Sequence, residues 1–302
     1  MIIKEKVKKI FVAIIIILFF VFVYFFFYEP RYDGLIGNWE GTRIIAHRGF
    51  GNYAPDNGLS GVKLALDNKM DGVDLDGQLT KDGELVIFHD LRVDRLTNGA
   101  GYVRDKTLEE LKELDLGIKL DESFIGEKIS TFEEIVKEVN GQAILMVELK
   151  VSELGDTGVE KKAVEIIQRN GAHDYVYLSS FNPIVLYRLK KLDKNIRTVF
   201  IFMDTNWNED IRKEVPSADL KDLPFFLRSE FTRRAIRKII EPDLLSVNKE
   251  VDEKTIERLI SKGWPIFLWP LDSEEDLEKS LEKKPYGIIT NEPISGRSLR
   301  DE

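Results

Sequence analysis

The sequence predicts an α/β protein built on a parallel sheet, closed or open, and preceded by one membrane-spanning helix. Three observations carry this: a long uncharged apolar run near the start, short apolar runs alternating with helix-period stretches after it, and chemistry-bearing residues at the ends of several of those runs. Residues 10–28, "IFVAIIIILFFVFVYFFFY", hold no charge. As a helix they reach roughly the ~30 Å of a bilayer's hydrocarbon core. The run has no polar face, which argues against a core helix, and it passes in bulky aromatics straight into "YEPRYDG", unlike a cleavable leader with small residues at its end. An uncleaved anchor is expected. Lys4, Lys6, Lys8 and Lys9 precede the run and only Arg31 closely follows it, so the positive-inside rule keeps the N-terminus cytoplasmic and places the rest outside. The expected order is a basic tail (1–9), the anchor (10–28), a linker (29–42) that can reach at most ~50 Å, and one domain over 43–302.

Within that domain the apolar runs are "RIIA" (43–46), "GVDLD" (72–76), "LVIFH" (85–89), "AILMVEL" (143–149), "VYLSS" (176–180), "TVFIF" (198–202), "LLSV" (244–247), "PIFLW" (265–269) and "GIIT" (287–290). Between most of them lie stretches such as "STFEEIVKEVN", "NPIVLYRLKKLD" and "DEKTIERLISKG", with apolar residues three and four apart behind Ser, Thr, Asp or Asn caps. Strand–helix alternation of this kind implies parallel strands. The runs number one more than an eight-stranded barrel needs, and a hairpin over residues 72–90 accounts for the excess. Residues 91–130 read as an inserted excursion and 202–231 as a second irregular region.

The hairpin raises the question of function. In "GVDLDGQLTKDGELVIFHD", Asp74 and Asp76 lie two apart and share a strand face. A turn near Lys81–Asp82 brings His89 opposite Asp74. Chemistry in such sheets gathers where strands end, and the other ends supply His47, Arg48, Glu148, Lys150 and Trp269. Of three histidines in the chain, two close apolar runs. Clustered carboxylates repel one another unless a cation sits among them, and an oxygen-rich trio of Asp74, Asp76 and Glu148 suits Mg²⁺ or Ca²⁺. With no cysteine present, thiolate zinc sites, disulfides and cysteine nucleophiles are excluded. The net charge is −9, and the part beyond the lysine-rich tail is more acidic still. Such a domain is a poor partner for nucleic acid. A cation, flanking Arg and Lys, and two acid/base groups fit cleavage of a phosphate ester.

The blocks "IIAHRGFGNYAPDN", "GVDLDGQLTKDGELVIFHD", "GEKISTFEEIVKEV", "VELK", "SSF", "LWPLDSEEDLEKSL" and "YGIITNEPI" resemble, in order over roughly residues 43–295, the glycerophosphodiester phosphodiesterase family. The resemblance implies a distorted (β/α)₈ TIM barrel with the insertion after His89. It further implies a metal-dependent hydrolase that splits glycerophosphodiesters into glycerol phosphate and an alcohol, which the apolar run 10–28 is expected to anchor to a membrane. By resemblance His47 and His89 are the acid/base pair, Asp74, Asp76 and Glu148 hold one divalent cation, Arg48 and Lys150 contact phosphate, Trp269 lines the pocket, and Asp56 and Asn57 support it from behind. The chain departs from the family's usual glutamate at Asp56 and at Asp74, and has "WPLD" where "WTVN" is more usual. The shorter Asp74 is expected to loosen the cation or favour Ca²⁺. Two other outcomes follow from these features: a lysophospholipase D-type lipid phosphodiesterase, or a weakened barrel that binds phosphate esters.

Overall fold

The computed structural model describes residues 2–301 apart from 30, 33, 35, 37, 38, 152–156 and 204–228. Most of the irregular 202–231 region, and part of the 29–42 linker, therefore lie outside the described residues. Among the described residues nine strands form one sheet: β1 (Arg43–His47), β2 (Gly72–Leu79), β3 (Leu85–Ile87), β4 (Ile144–Leu149), β5 (Val176–Ser180), β6 (Arg197–Phe202), β7 (Leu244–Asn248), β8 (Ile266–Trp269) and β9 (Gly287–Thr290). All but β3 run parallel. β1 pairs with both β2 and β9, which closes the ring, and β3 hangs on β2 as the antiparallel ninth strand. The barrel is thus eight-stranded.

Ten helices are described: α1 (Ile2–Phe27), α2 (Leu59–Asp67), α3 (Leu108–Lys112), α4 (Phe132–Val139), α5 (Val159–Asn170), α6 (Pro183–Leu192), α7 (Glu230–Ile240), α8 (Glu253–Ser261), α9 (Glu274–Glu282) and α10 (Pro293–Asp301). Their starts follow from local chemistry. Thr131 and Glu134 form a capping box on α4, Asn182 caps α6 ahead of Pro183, and Asp252 and Ser273 cap α8 and α9; each cap satisfies an otherwise orphaned backbone N–H. Two apolar layers result. Val73, Leu75, Leu145 and Val147 face outward into the helix-covered core, while Ile45, Met146, Tyr177, Val199, Leu244, Phe267 and Ile289 fill the barrel itself.

Four expectations need correction. The hairpin pairs Gly77 with Ile87, Gln78 with Val86 and Leu79 with Leu85, so its turn centres on Asp82 and the register is one residue away from the His89–Asp74 pairing expected. The ladder also stops at Ile87; His89 reaches the site from the loop beyond it. The insertion at 91–130 is not merely irregular: it holds α3 and its own buried cluster of Val93, Val103, Leu111, Leu116 and Ile129 packed on Val86 and Phe88. Finally, α7 and α10 occupy segments that sequence periodicity left without a helix.

The apolar helix begins at Ile2, well before residue 10, and its Glu5–Phe27 stretch is long and apolar enough to cross a membrane. The chain after it is not a free tether. Tyr32 donates its N–H to the Lys262 carbonyl (2.8 Å) and its hydroxyl to the Asp243 carbonyl (2.8 Å). Ile36 and Trp39 pack on the barrel's inner cluster.

Candidate active site

The strand parity that points Ile45, Met146, Tyr177 and Phe267 inward also sends His47, Asp74, Asp76, Glu148, Ser179 and Trp269 to the interior near the C-terminal mouth. Register does the rest. His47 lies beside Asp74 across β1–β2, and Asp76 beside Glu148 across β2–β4.

Directly after His47 the chain reverses through Arg48, which takes a left-handed backbone (φ 51°). That conformation is uncommon outside glycine and marks a constrained position. Asn57, itself left-handed, donates its N–H to the Arg48 carbonyl at 2.8 Å. Glycine is required at Gly51, where φ is 58° and an added Cβ would lie 2.0 Å from the Asn291 carbonyl oxygen. The turn so formed directs the Arg48 guanidinium between Asp56 (Nη1–Oδ2, 2.9 Å) and His89 (Nη2–Nε2, 3.0 Å). Burial disfavours this cation, but Asp76 and Asp56 outweigh burial and raise its pKa.

Each histidine is oriented through Nδ1. His47 Nδ1 meets Asn291 Oδ1 at 2.8 Å, and Asn291 is fixed in turn by Asp272, which accepts from its amide and its backbone N–H (2.9 Å each). These partners assign the Nδ1–H tautomer and leave Nε2 unprotonated, 4.0 Å from Asp74. Burial first, and then Arg48, push the His47 imidazole down to about 4. His89 Nδ1 meets Asp90 Oδ1 at 2.7 Å, and Arg95 grips the other Asp90 oxygen at 2.7 Å. Burial would raise the Asp90 carboxyl; the hydrogen bonds from His89 and Arg95 prevail and hold it well below the usual range.

The acids divide into two kinds. Asp76 accepts from Asn57 Nδ2 (3.0 Å) and gives its backbone N–H to Asn57 Oδ1 (2.8 Å). Lys150 bridges Asp76 (3.0 Å) and Glu148 (3.1 Å). Burial opposes ionisation of Asp76, yet Lys150, then His89 and Arg48, keep it ionised. Among the described residues no Lys or Arg pairs with Asp74 in this way; its ion-pair neighbour is His47 Nε2 at 4.0 Å. Burial, then Asp76 and Glu148, push its carboxyl well above the ordinary range. Among the described residues the acids do not close into a ready ligand cluster, but their chemistry fits a hard divalent ion, being oxygen-only, buried and short of positive charge.

Among the described residues three buried donors at the mouth have no protein partner: Arg48 Nε, Ser179 Oγ and Trp269 Nε1. Buried donors are rarely left unpaired, so a ligand's acceptor oxygens are their natural complement. Trp269 also meets Phe181 edge-on (ring centroids 5.9 Å), making one wall. Sequence reasoning missed Asp90, Arg95, Asp272 and Asn291. Asp272 is the last residue of "WPLD", so the departure from the usual motif falls on the residue that orients Asn291 and, through it, His47. A surface groove of about 770 Å³ under the insertion, lined by Leu59, Phe124 and Ile125 among others, lies away from these groups.

A closed (β/α)₈ barrel with imidazoles, carboxylates and cations at its C-terminal mouth defines the class, a barrel with its chemistry-bearing groups where barrel enzymes carry their active sites. Comparison with known proteins makes that specific. Residues 47–295 match the model of the glycerophosphoryl diester phosphodiesterase family. A glycerophosphodiester phosphodiesterase of Caldanaerobacter subterraneus subsp. tengcongensis is 34% identical over 256 residues, covering 83% of this chain and 95% of the relative. One from Bacillus subtilis is 28% identical over 263 residues, 82% of this chain and 83% of the relative. Among solved structures, an Oleispira antarctica phosphodiesterase in complex with the product sn-glycerol-3-phosphate superposes with a TM-score of 0.73 at 24% identity, covering 87% of this chain and 98% of that one; at that identity the likeness speaks to the fold. The chain belongs to the glycerophosphoryl diester phosphodiesterase family, whose members are phosphoric diester hydrolases.

Proposed function

We propose that this chain hydrolyses glycerophosphodiesters to glycerol phosphate and an alcohol, with His47 as general base and His89 as general acid. The observation that carries the reading is the opposite wiring of the two imidazoles. His47 gives Nδ1–H to a neutral amide, is held unprotonated by burial and Arg48, and presents a bare Nε2. It is suited to take a proton from the attacking hydroxyl, either water or a neighbouring glycerol hydroxyl, which would give a cyclic phosphate first. His89 leans on the Asp90 carboxylate, which stabilises the imidazolium needed to protonate the leaving alcohol. Arg48, together with the unpaired Ser179 and Trp269 donors, receives the phosphate oxygens. As Arg48 turns to phosphate it frees His89 Nε2 to take up a proton from solvent, and that proton then passes to the leaving oxygen. Asp74, Asp76 and Glu148 would hold one Mg²⁺ or Ca²⁺, which when bound supplies polarisation of the phosphoryl group. Lys150 restrains two of those acids and completes the phosphate side.

The same reading takes residues 10–28 as an uncleaved span after a cytoplasmic tail (1–9), with the barrel over 43–302 on the extracytoplasmic side. Support comes from the apolar helix and the lysines before it. Lysophospholipids are a second substrate class, favoured by the contact of α1's end with the barrel wall at α7, which keeps the catalytic domain near the bilayer.

The test is leaving-group dependence. His47→Ala and His89→Ala should each lower turnover of glycerophosphocholine by about a hundredfold or more. An activated nitrophenyl diester should rescue His89→Ala alone, since only that variant lacks the proton for the leaving group. Equal rescue of both, or near-normal turnover in either, removes the assignment.

A further inference from the structure

Helix α7 carries "RRAIRK" along residues 233–238. Two of these cations, Arg234 and Lys238, reach the apolar helix. Arg234 Nη1 donates to the carbonyls of Phe26 (3.1 Å) and Phe27 (2.8 Å), and Lys238 Nζ to those of Phe25 (2.9 Å) and Tyr28. These are the carbonyls at the end of α1, the ones a helix cannot satisfy from within, and cations are favoured at that end of a helix. Immediately beyond, Glu29 is 5% exposed. It is ion-paired with Arg237, whose side chain is 1% exposed, and with Arg234. Glu230 closes the network by pairing with Arg237 (2.6 Å) and Arg258 (2.5 Å). Phe231 stacks on Phe26 with centroids 4.1 Å apart and a 14° interplanar angle, and meets Phe22 and Phe27 with its edges or at a tilt.

We infer that α7 is a receiving surface for the end of the membrane span, so that α1 is retained in the working protein and holds the barrel at one height and orientation on the bilayer. This rests on the reading of α1 as a span. A leader removed after insertion would take the carbonyl partners of Arg234 and Lys238 with it. A loose tether would have no use for a carboxylate buried against a buried guanidinium just past the membrane helix. The docking is ionic at its centre and aromatic at its edge, and the next described contacts, those of Tyr32, extend the attachment along the barrel wall to Lys262 and Asp243.

The experiment uses the full chain in lipid nanodiscs and in native membranes. Since the chain has no cysteine, Phe19→Cys and Lys254→Cys, both exposed positions, place one spin label on α1 and one on α8. Intact mass of the membrane fraction should include residues 1–28, and alkaline carbonate should not extract it. The label–label distance should form one narrow peak. Glu29→Ala, and separately the milder Lys238→Ala, should broaden that peak within the ~14 Å that the chain from Tyr28 to its attachment at Tyr32 can span, while turnover of water-soluble glycerophosphocholine stays unchanged and certifies the fold. Loss of residues 1–28 from the mature protein, a broad distribution in the parent, or a peak that neither substitution widens overturns the inference. Carbonate extraction of intact chain would instead remove the membrane reading beneath it.

Discussion

Replacing Lys150 with methionine separates the charge of the site from its shape. The ammonium stands 3.0 Å from Asp76 and 3.1 Å from Glu148, with side chains 18%, 9% and 18% exposed for Lys150, Asp76 and Glu148. At these separations each pair is worth roughly 5 kcal/mol at an effective dielectric of about 20, before desolvation is subtracted. Removing one partner of such a buried pair typically costs about 3–5 kcal/mol, because the other charges are left uncompensated. Methionine keeps the length and apolar stem of the side chain, so cavity effects stay small. For a domain of this size the loss corresponds to a fall in melting temperature of at least ~6 °C, taking ~2–4 °C per kcal/mol. The assay is thermal unfolding in chelator and then with added Mg²⁺ or Ca²⁺. An ion bound among Asp74, Asp76 and Glu148 at a hundredfold its Kd returns about 2.7 kcal/mol, most of the deficit, and the variant should gain more from it than the parent does. A variant that melts like the parent in chelator shows that Lys150 does not neutralise the acids. One that melts lower and ignores both cations removes the metal assignment.

Three further outcomes are expected. Asp74→Glu lengthens the acid that, among the described residues, no Lys or Arg pairs with, and should raise affinity for Mg²⁺, which demands close ligands, more than for Ca²⁺; isothermal titration of both ions gives the ratio, and an equal fall for both means the pocket is packed around aspartate. Asp90→Asn replaces the carboxylate on His89 Nδ1 and should lower kcat by about ten- to a hundredfold, the scale of one hydrogen bond to a charged group. Its ¹⁵N imidazole shifts should show a changed His89 tautomer, and an unchanged tautomer with unchanged kcat would make Asp90 incidental. Acid should weaken the ionic network that joins α7 to α8, where Glu230 pairs with Arg237 and Arg258. Burial alone would raise the Glu230 carboxyl, but Arg237 and the neighbouring arginines hold it below its ordinary value. Its stabilising contribution is therefore complete above the unfolded glutamate pKa of ~4.3 and fades as pH falls through the folded value. Thermal unfolding should show the parent losing below that range the stability that Glu230→Gln lacks at every pH; parallel pH profiles for the two count against the network.

What the sequence by itself determined was whatever neighbouring residues encode. Apolar runs of strand length separated by capped three- and four-residue periodicity specify β1–β9 and most helices, because each capping bond and each face of a strand depends on residues a few positions apart. For the same reason Asp74 and Asp76 were legible as a pair on one face, and residues 10–28 as a span. Helix α7 was not, since its buried face includes Arg233 and Arg237, and a helix whose inner positions are charged shows no apolar stripe to read. The tertiary structure decided the rest through contacts between distant residues. Ring closure of β1 on β2 sets His47 beside Asp74. The turn after β9 brings Asn291, steered by Asp272, onto His47 from 244 positions away. A one-residue change in the hairpin register, with the ladder ending at Ile87, leaves His89 to be aimed by Asp90 and Arg48 rather than by a strand partner. Lys150 and the α7 cations likewise find partners only once the chain has folded, because a long charged side chain can satisfy many acceptors and nothing in its own neighbourhood says which of them will be buried beside it.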